Sequence, residues 1–269
     1  MKPTVAFFDS SSCEGCQLQI ANLEETVLDV AGKVNIVAFR EVMKESSDSY
    51  DIAIVEGSIC RPIDEKRLKT IRKNAGILIA LGACAHLGCV QRLSNQWTPR
   101  ENKEVVYGPI KKGVTDDSNP FFDQPHHRSL DEIVPVDYVI PGCPIDRNEF
   151  VKVLVALLQG KKPPIPDYPV CVECKKRENV CLFTIGKVCM GPVARAGCNA
   201  ICPTYGMSCE ACRGYVSHPH ERAQTDVLEK YGVSAEEIMN MKSMFTYKYI
   251  EQAKQKKKQQ ASVEKEVVA

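Results

Sequence analysis

Unbroken runs of apolar residues recur along the first part of the chain, and segments with helical period separate them. Five of these runs predict buried strands at 4–8, 34–39, 51–55, 77–81 and 136–140. Helices are predicted between them over 64–74, over 146–159, and where Ile20, Leu23, Val27 and Val30 share one face. Apolar strands without alternation are typical of a parallel sheet that is covered on both faces.

This order of elements predicts a flavodoxin-like, doubly wound α/β domain over residues 1–162. A small cysteine-rich domain is expected over 163–216, followed by C-terminal helices and a polar tail over 217–269. The prolines of 161–166 favour an extended path, so this segment is expected to be a stiff linker between the first two parts.

Local signals suggest where several elements begin. Asp146 and Glu149 stand in capping-box spacing at the start of the last helix of the α/β domain. Thr225 and Ser234 are expected to cap two C-terminal helices that end near residue 256. Residues 98–135 are polar, contain prolines and lack a clear period, so a long surface insertion is expected there.

Charge and hydropathy exclude some classes of function. Among 269 residues, 35 are Lys or Arg and 34 are Asp or Glu, a balance that argues against a nucleic-acid-binding protein. No apolar run reaches eighteen residues, so no membrane span is expected. The N-terminal MKPTVAFF does not resemble a signal peptide, and the many cysteines come in short-spaced pairs. A soluble protein in the reducing cytoplasm is therefore expected.

Four cysteines follow the predicted strands of the α/β domain. Cys13 and Cys16 come after the first strand, Cys84 after the strand at 77–81, and Cys143 after the last strand. Loops at the carboxyl ends of parallel strands share one edge of the sheet, where ligands bind. Four such thiols with flanking glycines favour one metal site over four separately buried thiols.

Two other interpretations of this edge carry less support. The loop DSSSC could cradle a flavin phosphate, but Cys13 and Cys16 occupy the position that such a loop needs, and no Walker pattern is present. Cys60 and Cys89 are left over from the set of four. Both are expected to be buried thiols that bind no metal, as free cysteines often are.

Eight further cysteines lie within forty-two residues and begin and end with a Cys-x2-Cys pair. They are Cys171, Cys174, Cys181, Cys189, Cys198, Cys202, Cys209 and Cys212. Zinc ribbons use regular short pairs, whereas these intervals are uneven and Cys-x3-Cys-Pro at 198–203 is typical of ferredoxins. Two [4Fe–4S] clusters are therefore favoured over two zinc ions. A sequential division into two sets of four is one possibility, and exchange of a cysteine between sets, as in ferredoxins, is the other.

The motifs SSCEGCQLQ, GACAHLGC and PGCPID, together with the eight-cysteine stretch, resemble the small subunit of cytoplasmic [NiFe] hydrogenases. The resemblance covers about residues 3–215. It is strongest to the F420-non-reducing (methyl-viologen-reducing), heterodisulfide-reductase-associated type of methanogens and related anaerobes.

The resemblance implies a function in electron transfer and three [4Fe–4S] clusters. Cys13, Cys16, Cys84 and Cys143 would hold the proximal cluster, and the eight later cysteines the medial and distal clusters. The partners implied are the [NiFe] large subunit, which carries the hydrogen-activating centre, and an electron-accepting iron–sulfur or flavin subunit, with heterodisulfide reductase as a candidate. No hydrogenase activity is expected from this chain alone. Many relatives have Gly-Gly at the position of Gly88-Cys89, which leaves open whether Cys89 is an additional donor.

Glu14, between two of the proximal ligands, has two interpretations. It could pass protons to or from the partner's metal centre, or it could be a surface residue that forms a salt bridge with the partner. Three alternatives to the hydrogenase subunit are a complex I-like cluster subunit, a free-standing polyferredoxin-like carrier and a zinc-stabilised binding module.

Overall fold

The computed structural model describes residues 2–23, 32–116, 118–119, 122 and 126–268, and residues 261–268 by their backbone alone. Five parallel strands form one sheet in the order β2-β1-β3-β4-β5. The strands are β1 (Thr4–Phe8), β2 (Asn35–Ala38), β3 (Tyr50–Glu56), β4 (Ala75–Leu81) and β5 (Tyr138–Ile140). This is the strand order of flavodoxin-like sheets. All five predicted strands are confirmed, and β3 and β4 each extend beyond the predicted run.

Within the described residues, the helices of this α/β part include α1 (Gly15–Ala21), α2 (Pro62–Asn74), α3 (Gly82–Leu87), α4 (Pro99–Tyr107) and α5 (Arg147–Leu158). The predicted helices over 64–74 and 146–159 are confirmed as α2 and α5. Asp146 caps α5 by accepting a hydrogen bond from the backbone N–H of Glu149 at 2.8 Å. The predicted helical face reaches Val27 and Val30, and these two residues lie outside the described part of the chain.

Both faces of the sheet are buried. Neighbouring residues of one strand point to opposite faces, and each set packs in its own apolar cluster. Ile52 and Ile54 of β3 pack with Phe150 of α5 on one face. Ala53 and Val55 pack on the other face, in a second apolar cluster. This arrangement explains why the strands have no polar alternation in the sequence.

The segment 98–135, predicted to be a long surface insertion without a clear period, contains the helix α4 in its first part. Thr98 caps this helix: its hydroxyl accepts from Glu101 N–H at 3.3 Å, and the Glu101 carboxylate accepts from Thr98 N–H at 2.7 Å. Pro99 holds the first helical position, which it favours. These start signals outweigh the weak apolar period of the segment.

The C-terminal part contains α6 (Val170–Lys176), α7 (Ile201–Thr204), α8 (Glu221–Lys230) and α9 (Ala235–Val268). Ser234 caps α9 in a capping box with Glu237, as predicted. Thr225 caps no helix: it lies inside α8, and its hydroxyl donates to the carbonyl of Glu221 at 2.9 Å, one turn earlier. The predicted end near 256 is also wrong, since α9 continues to Val268, with a kink at Thr246.

Helix α9 packs back against the α/β part through buried cations. Arg92 donates to Glu132 at 2.5 and 2.8 Å and to Glu251 of α9 at 2.6 Å. Lys248 of α9 contacts both carboxylate oxygens of Asp131 at 2.7 Å. Across the described residues, no helix combines the length and the apolar character that crossing a membrane requires.

Replacing Arg92 with Met is expected to lower the free energy of unfolding by about 3–5 kcal/mol, because Glu132 and Glu251 would lose their buried partner. The Arg92 side chain is 4% exposed, whereas that of Arg100, which pairs with Glu104, is 77% exposed. The control Arg100→Met should therefore change the free energy of unfolding by less than about 0.5 kcal/mol. Equal losses for the two variants in denaturant unfolding would contradict this account.

The same contact predicts a pH dependence. Burial raises the pKa of Glu132, but its hydrogen bonds with Arg92 and Ser129 outweigh burial and lower the pKa to about 2, from 4.5. The stabilisation is therefore present above pH 4.5 and lost as the pH falls towards 2. When the free energy of unfolding is measured between pH 4.5 and 2, the Arg92→Met variant should lack the share of this acid dependence that Arg92 causes.

Candidate functional site

The four cysteines that follow strands lie at one edge of the sheet, as predicted. Cys13 precedes α1, Cys16 lies in its first turn, Cys84 lies in the first turn of α3, and Cys143 follows β5. All four line one cavity of about 300 Å³ together with Glu56 and Gly142. We call these four cysteines the first thiol group.

Two glycines leave the space that these thiols occupy. A Cβ atom added at Gly82 would lie 2.4 Å from Cys16 Sγ, which is a direct overlap. Gly82 also has φ of +81°, in the left-handed region that favours glycine. A Cβ at Gly15 would lie 3.3 Å from Cys13 Sγ. The backbone thus approaches the thiols closely, as a tightly enclosed prosthetic group requires.

Glu56 belongs to this cavity, and the sequence analysis did not single it out. Its carboxylate is buried at the end of β3 and accepts from the backbone N–H of Cys16 at 3.1 Å and of Gln17 at 3.0 Å. Burial raises the pKa of Glu56, and these two hydrogen bonds oppose that rise. Glu56 therefore fixes the first turn of α1, which carries Cys16. The signal in the sequence that could have identified Glu56 is an acidic residue at the end of a continuous apolar strand.

The two cysteines predicted to bind no metal are both buried. Cys60 lies 3.0 Å from the Ser11 hydroxyl and does not line the cavity. Cys89 lies closer: the neighbouring thiols of Cys143 and Cys84, with burial third, raise the pKa of its thiol. Its backbone has φ of 56° and ψ of −154°, a conformation that non-glycine residues rarely adopt. Cys89 is therefore in contact with the first thiol group, whereas Cys60 is not.

A second cavity, of about 550 Å³, lies next to the first. Its lining includes a second thiol group: Cys198, Cys202, Cys209 and Cys212. Cys143 lines both cavities, and in the second it lies with Cys212, whose pKa burial raises and the backbone of Cys143 lowers. The first and second thiol groups are thus in direct contact.

The four remaining cysteines form a third thiol group: Cys171, Cys174, Cys181 and Cys189. Burial first, and then the charges of the other three thiolates, raise the pKa of Cys171 to about 11. A Cβ at Gly191 would lie 3.3 Å from Cys171 Sγ and 3.4 Å from Cys189 Sγ. Cys189 Sγ also accepts from the backbone N–H of Cys209 at 3.2 Å, which joins the third group to the second.

These contacts favour the sequential division of the eight cysteines over an exchanged one. Two of these thiols accept hydrogen bonds: Cys189 Sγ from the backbone N–H groups of Gly191 and Cys209 at 3.4 and 3.2 Å, and Cys174 Sγ from the Asn179 side-chain amide at 3.7 Å. Such donors stabilise thiolate sulfur, so the donor set fits iron–sulfur ligation. Within the described residues, no three Cys, His, Asp or Glu side chains converge as ligands of a single metal ion.

A buried ion pair joins the second thiol group to the α/β part. Arg213, directly after Cys212, donates to the carbonyls of Pro141 and Ala196 at 2.6 and 2.8 Å. Its third bond, at 2.7 Å, goes to Glu149 of α5. The two side chains are 2% and 7% exposed. This pair holds the cysteine-rich part against the end of β5.

Glu14 is the N-terminal cap residue of α1 and lies near the surface. It pairs with Arg40 at 2.6 Å and is not among the residues that line the first cavity. A hydrogen bond with Glu41, with burial second, raises the pKa of Glu14 although Arg40 opposes the rise. Within this chain, Glu14 forms a surface salt bridge. Its function in proton transfer stays a prediction.

Comparison with known proteins agrees with this arrangement. The family described as NADH ubiquinone oxidoreductase, 20 Kd subunit, matches residues 13–157, which include the whole first thiol group. The sulfhydrogenase 2 subunit delta of Pyrococcus furiosus is 37% identical, over 77% of this chain and 84% of the relative. The chain belongs to this 20 Kd subunit family. Its relatives show that it is a hydrogenase subunit, an oxidoreductase of the small-subunit type, as the resemblance implied.

Further relatives extend the likeness beyond the part that the 20 Kd family covers. A vhu-type F420-non-reducing hydrogenase subunit of Methanocaldococcus jannaschii is 31% identical, over 78% of this chain and 81% of that protein. Among solved structures, a chain of an NAD+-reducing [NiFe]-hydrogenase has a TM-score of 0.55 at 28% identity and covers 62% of this chain and 96% of its own length. The Ni-Fe-Se hydrogenase of Desulfomicrobium baculatum has a TM-score of 0.51 at 14% identity over 81% of this chain and 100% of its own, which shows the fold alone.

Glu56→Gln in this hydrogenase subunit is expected to lower the free energy of unfolding by about 1–3 kcal/mol, because an amide can accept from only one of the two buried N–H groups. Asp51 offers a matched control, since its carboxylate also accepts from a backbone N–H and a hydroxyl, at 2.7 and 2.8 Å, but is exposed. Thermal unfolding of both variants tests this. A loss for Asp51→Asn as large as that for Glu56→Gln would contradict a special role of burial.

Proposed function

We propose that this chain is the electron-transfer small subunit of a [NiFe] hydrogenase and that its three thiol groups hold three [4Fe–4S] clusters. The observation that carries the proposal is the contact between successive groups. Cys143 lines the cavities of both the first and the second group, and Cys209 N–H of the second group donates to Cys189 Sγ of the third at 3.2 Å. Twelve thiols are thereby arranged in a row rather than in separate modules. The first group would be proximal, the second medial and the third distal.

When bound, a [4Fe–4S] cluster in each group would supply one-electron redox chemistry. The residues of this chain would set its conditions. Leu182, Met190 and Val193 are buried around the third group and exclude water. Backbone N–H groups that donate to sulfur favour the reduced, more negative state. The chain therefore provides spacing, dryness and hydrogen bonds, and the hydrogen-activating chemistry would belong to a separate large subunit.

The partners are proposed from the two ends of this row. At the first group, Cys13 and Cys143 are exposed, as is the apolar side chain of Leu18, which lines the same cavity, and this suits contact with a [NiFe] large subunit. At the third group, Cys181 is exposed beside Val180 and Ile185, which suits an electron-accepting iron–sulfur or flavin subunit. Heterodisulfide reductase is a candidate source of that subunit.

The domain limits and the location stay proposals. We place the flavodoxin-like domain at 1–162, the cysteine-rich domain with the second and third thiol groups at 163–216, and the C-terminal helices at 217–269. We propose the reducing cytoplasm as the location, because twelve thiols that hold clusters have to stay reduced.

Anaerobic iron and sulfide analysis of the native complex tests the number of clusters. About twelve irons and twelve sulfides per copy of this chain are expected from three four-iron clusters, together with a nickel-containing partner chain. About four irons would support a complex I-like subunit with one cluster instead. Bound zinc without sulfide would support a zinc-stabilised module, and both results would contradict the proposal.

Single replacements refine this test. Cys198→Ala is expected to reduce the iron content by about four atoms, because the second group would lose one of its four ligands. Cys60→Ala is the matched control, since it removes a buried thiol outside the thiol groups and should leave the iron content unchanged. Equal iron contents in the two variants would contradict the assignment of Cys198.

Glu14→Gln tests the proton-transfer hypothesis. If Glu14 passes protons, the variant is expected to slow hydrogen turnover at least about a hundredfold, the lower end of the range typical of general acid–base catalysis, and to keep its full iron content. Arg40→Gln removes the partner of Glu14 but keeps the carboxylate, so it should retain most of the turnover. Turnover of Glu14→Gln at the wild-type rate would leave Glu14 as a surface salt-bridge residue.

A further inference from the structure

Arg213 and Glu149 are buried charges at the junction of the first two thiol groups, and electron transfer through the thiol groups does not by itself explain them. Arg213 lines the second cavity with Cys143, Cys198 and Cys212. We propose that this ion pair consists of two positioning residues whose opposite charges set the reduction potential of the cluster held by the second thiol group. This inference rests on the proposed function.

The geometry fixes the guanidinium beside the cavity. Nε, Nη1 and Nη2 each donate one hydrogen bond, to Ala196, Pro141 and Glu149 respectively, at 2.6–2.8 Å. A Cβ at Gly197 would lie 2.2 Å from Arg213 Nη2 and 2.6 Å from Glu149 Oε1, so the backbone closes over the pair. The charge therefore has one position relative to the second thiol group.

Glu149 is the counter-charge of Arg213. Its Oε1 accepts from the guanidinium, and its Oε2 is buried without a hydrogen-bond partner among the described residues. Burial raises the pKa of Glu149, and the charge of Arg213 is the main opposing effect. A carboxylate left this dry depends on Arg213 for its compensation.

Other charged residues around the second cavity are less able to act on it. Asp146, Arg147, Arg195 and Glu210 also line the cavity, but each is at least partly exposed, so water and salt screen them. Arg213 lies directly beside the proposed ligands: it follows Cys212 in the chain and lines the second cavity with Cys198 and Cys212. A buried cation that stabilises a thiolate also stabilises a cluster that has gained an electron.

The redox step is the transfer of one electron from the reduced first cluster to the oxidised second cluster. The first cluster loses the electron that the second gains, and the second site becomes more negative by one unit. Arg213 favours this gain of charge, and Glu149 opposes it. Removing the charge of Arg213 should therefore lower the reduction potential of the second cluster. Removing the charge of Glu149 should raise it.

The test is an EPR-monitored redox titration of the anaerobically purified complex. Arg213→Met should lower the equilibrium constant for one-electron reduction of the second cluster about tenfold, about 59 mV in potential. Glu149→Gln should raise it by a similar factor. The double variant should return to within about threefold of wild type, and Arg213→Lys, which keeps the charge, should do the same. The cluster of the third thiol group, outside the cavity that Arg213 lines, is the internal control.

A merely structural role predicts a different pattern, namely shifts in the same direction, or none, for Arg213→Met and Glu149→Gln. Either result at full iron content would overturn the inference and leave the proposed function intact. If the Arg213→Met variant loses the second cluster, the other two variants decide. A raised reduction potential in Glu149→Gln together with a wild-type potential in Arg213→Lys supports the inference. Any other pair of values overturns it. A wild-type complex with only one four-iron cluster would instead overturn the proposed function.

Discussion

The common direction of the strands is the constraint on which the rest of the molecule depends. Because β1, β3, β4 and β5 are parallel, the loops that follow them open at the same edge of the sheet, and thiols more than a hundred residues apart in sequence meet there. The cysteine-rich part packs against the same edge, since Cys143 lines both the first and the second cavity. An antiparallel sheet would send alternate loops to opposite edges and separate the first thiol group.

Charge, rather than apolar surface alone, fixes how the later parts of the chain sit on this edge. Arg213 pairs with Glu149, Arg92 with Glu132 and Glu251, and Lys248 with Asp131, and the three cations are nearly inaccessible to solvent. Replacing such pairs by apolar residues often costs little stability, so their value lies in specificity. Apolar contacts tolerate sliding, whereas a guanidinium with three acceptors has one position. For the proposed transfer of electrons between fixed clusters, a defined spacing matters more than additional stability.

The sequence predicts the features of this protein that depend on local pattern. Five strands, the end of the sheet where the thiols gather and the Ser234 cap follow from short windows of residues. Glu56 and Arg213 do not, because their roles depend on partners that lie far away along the chain. The predicted cap at Thr225 is wrong for a related reason. A threonine before an apolar segment resembles a cap, but inside a helix its hydroxyl can donate a hydrogen bond to the carbonyl one turn earlier. The helix in 98–135 was missed because its signal lay in the cap and not in its period.

The pairing of the eight later cysteines shows most clearly what spacing cannot decide. Along the chain, the third thiol group comes before the second, yet in space the second lies between the other two. The chain therefore passes through the third thiol group first and then returns towards the sheet, where the second thiol group lies. Arg213 explains the return, because it follows Cys212 directly and binds the carbonyl of Pro141, two residues before Cys143. One buried side chain outside the Cys-x2-Cys pairs thus helps to hold the second thiol group beside the first.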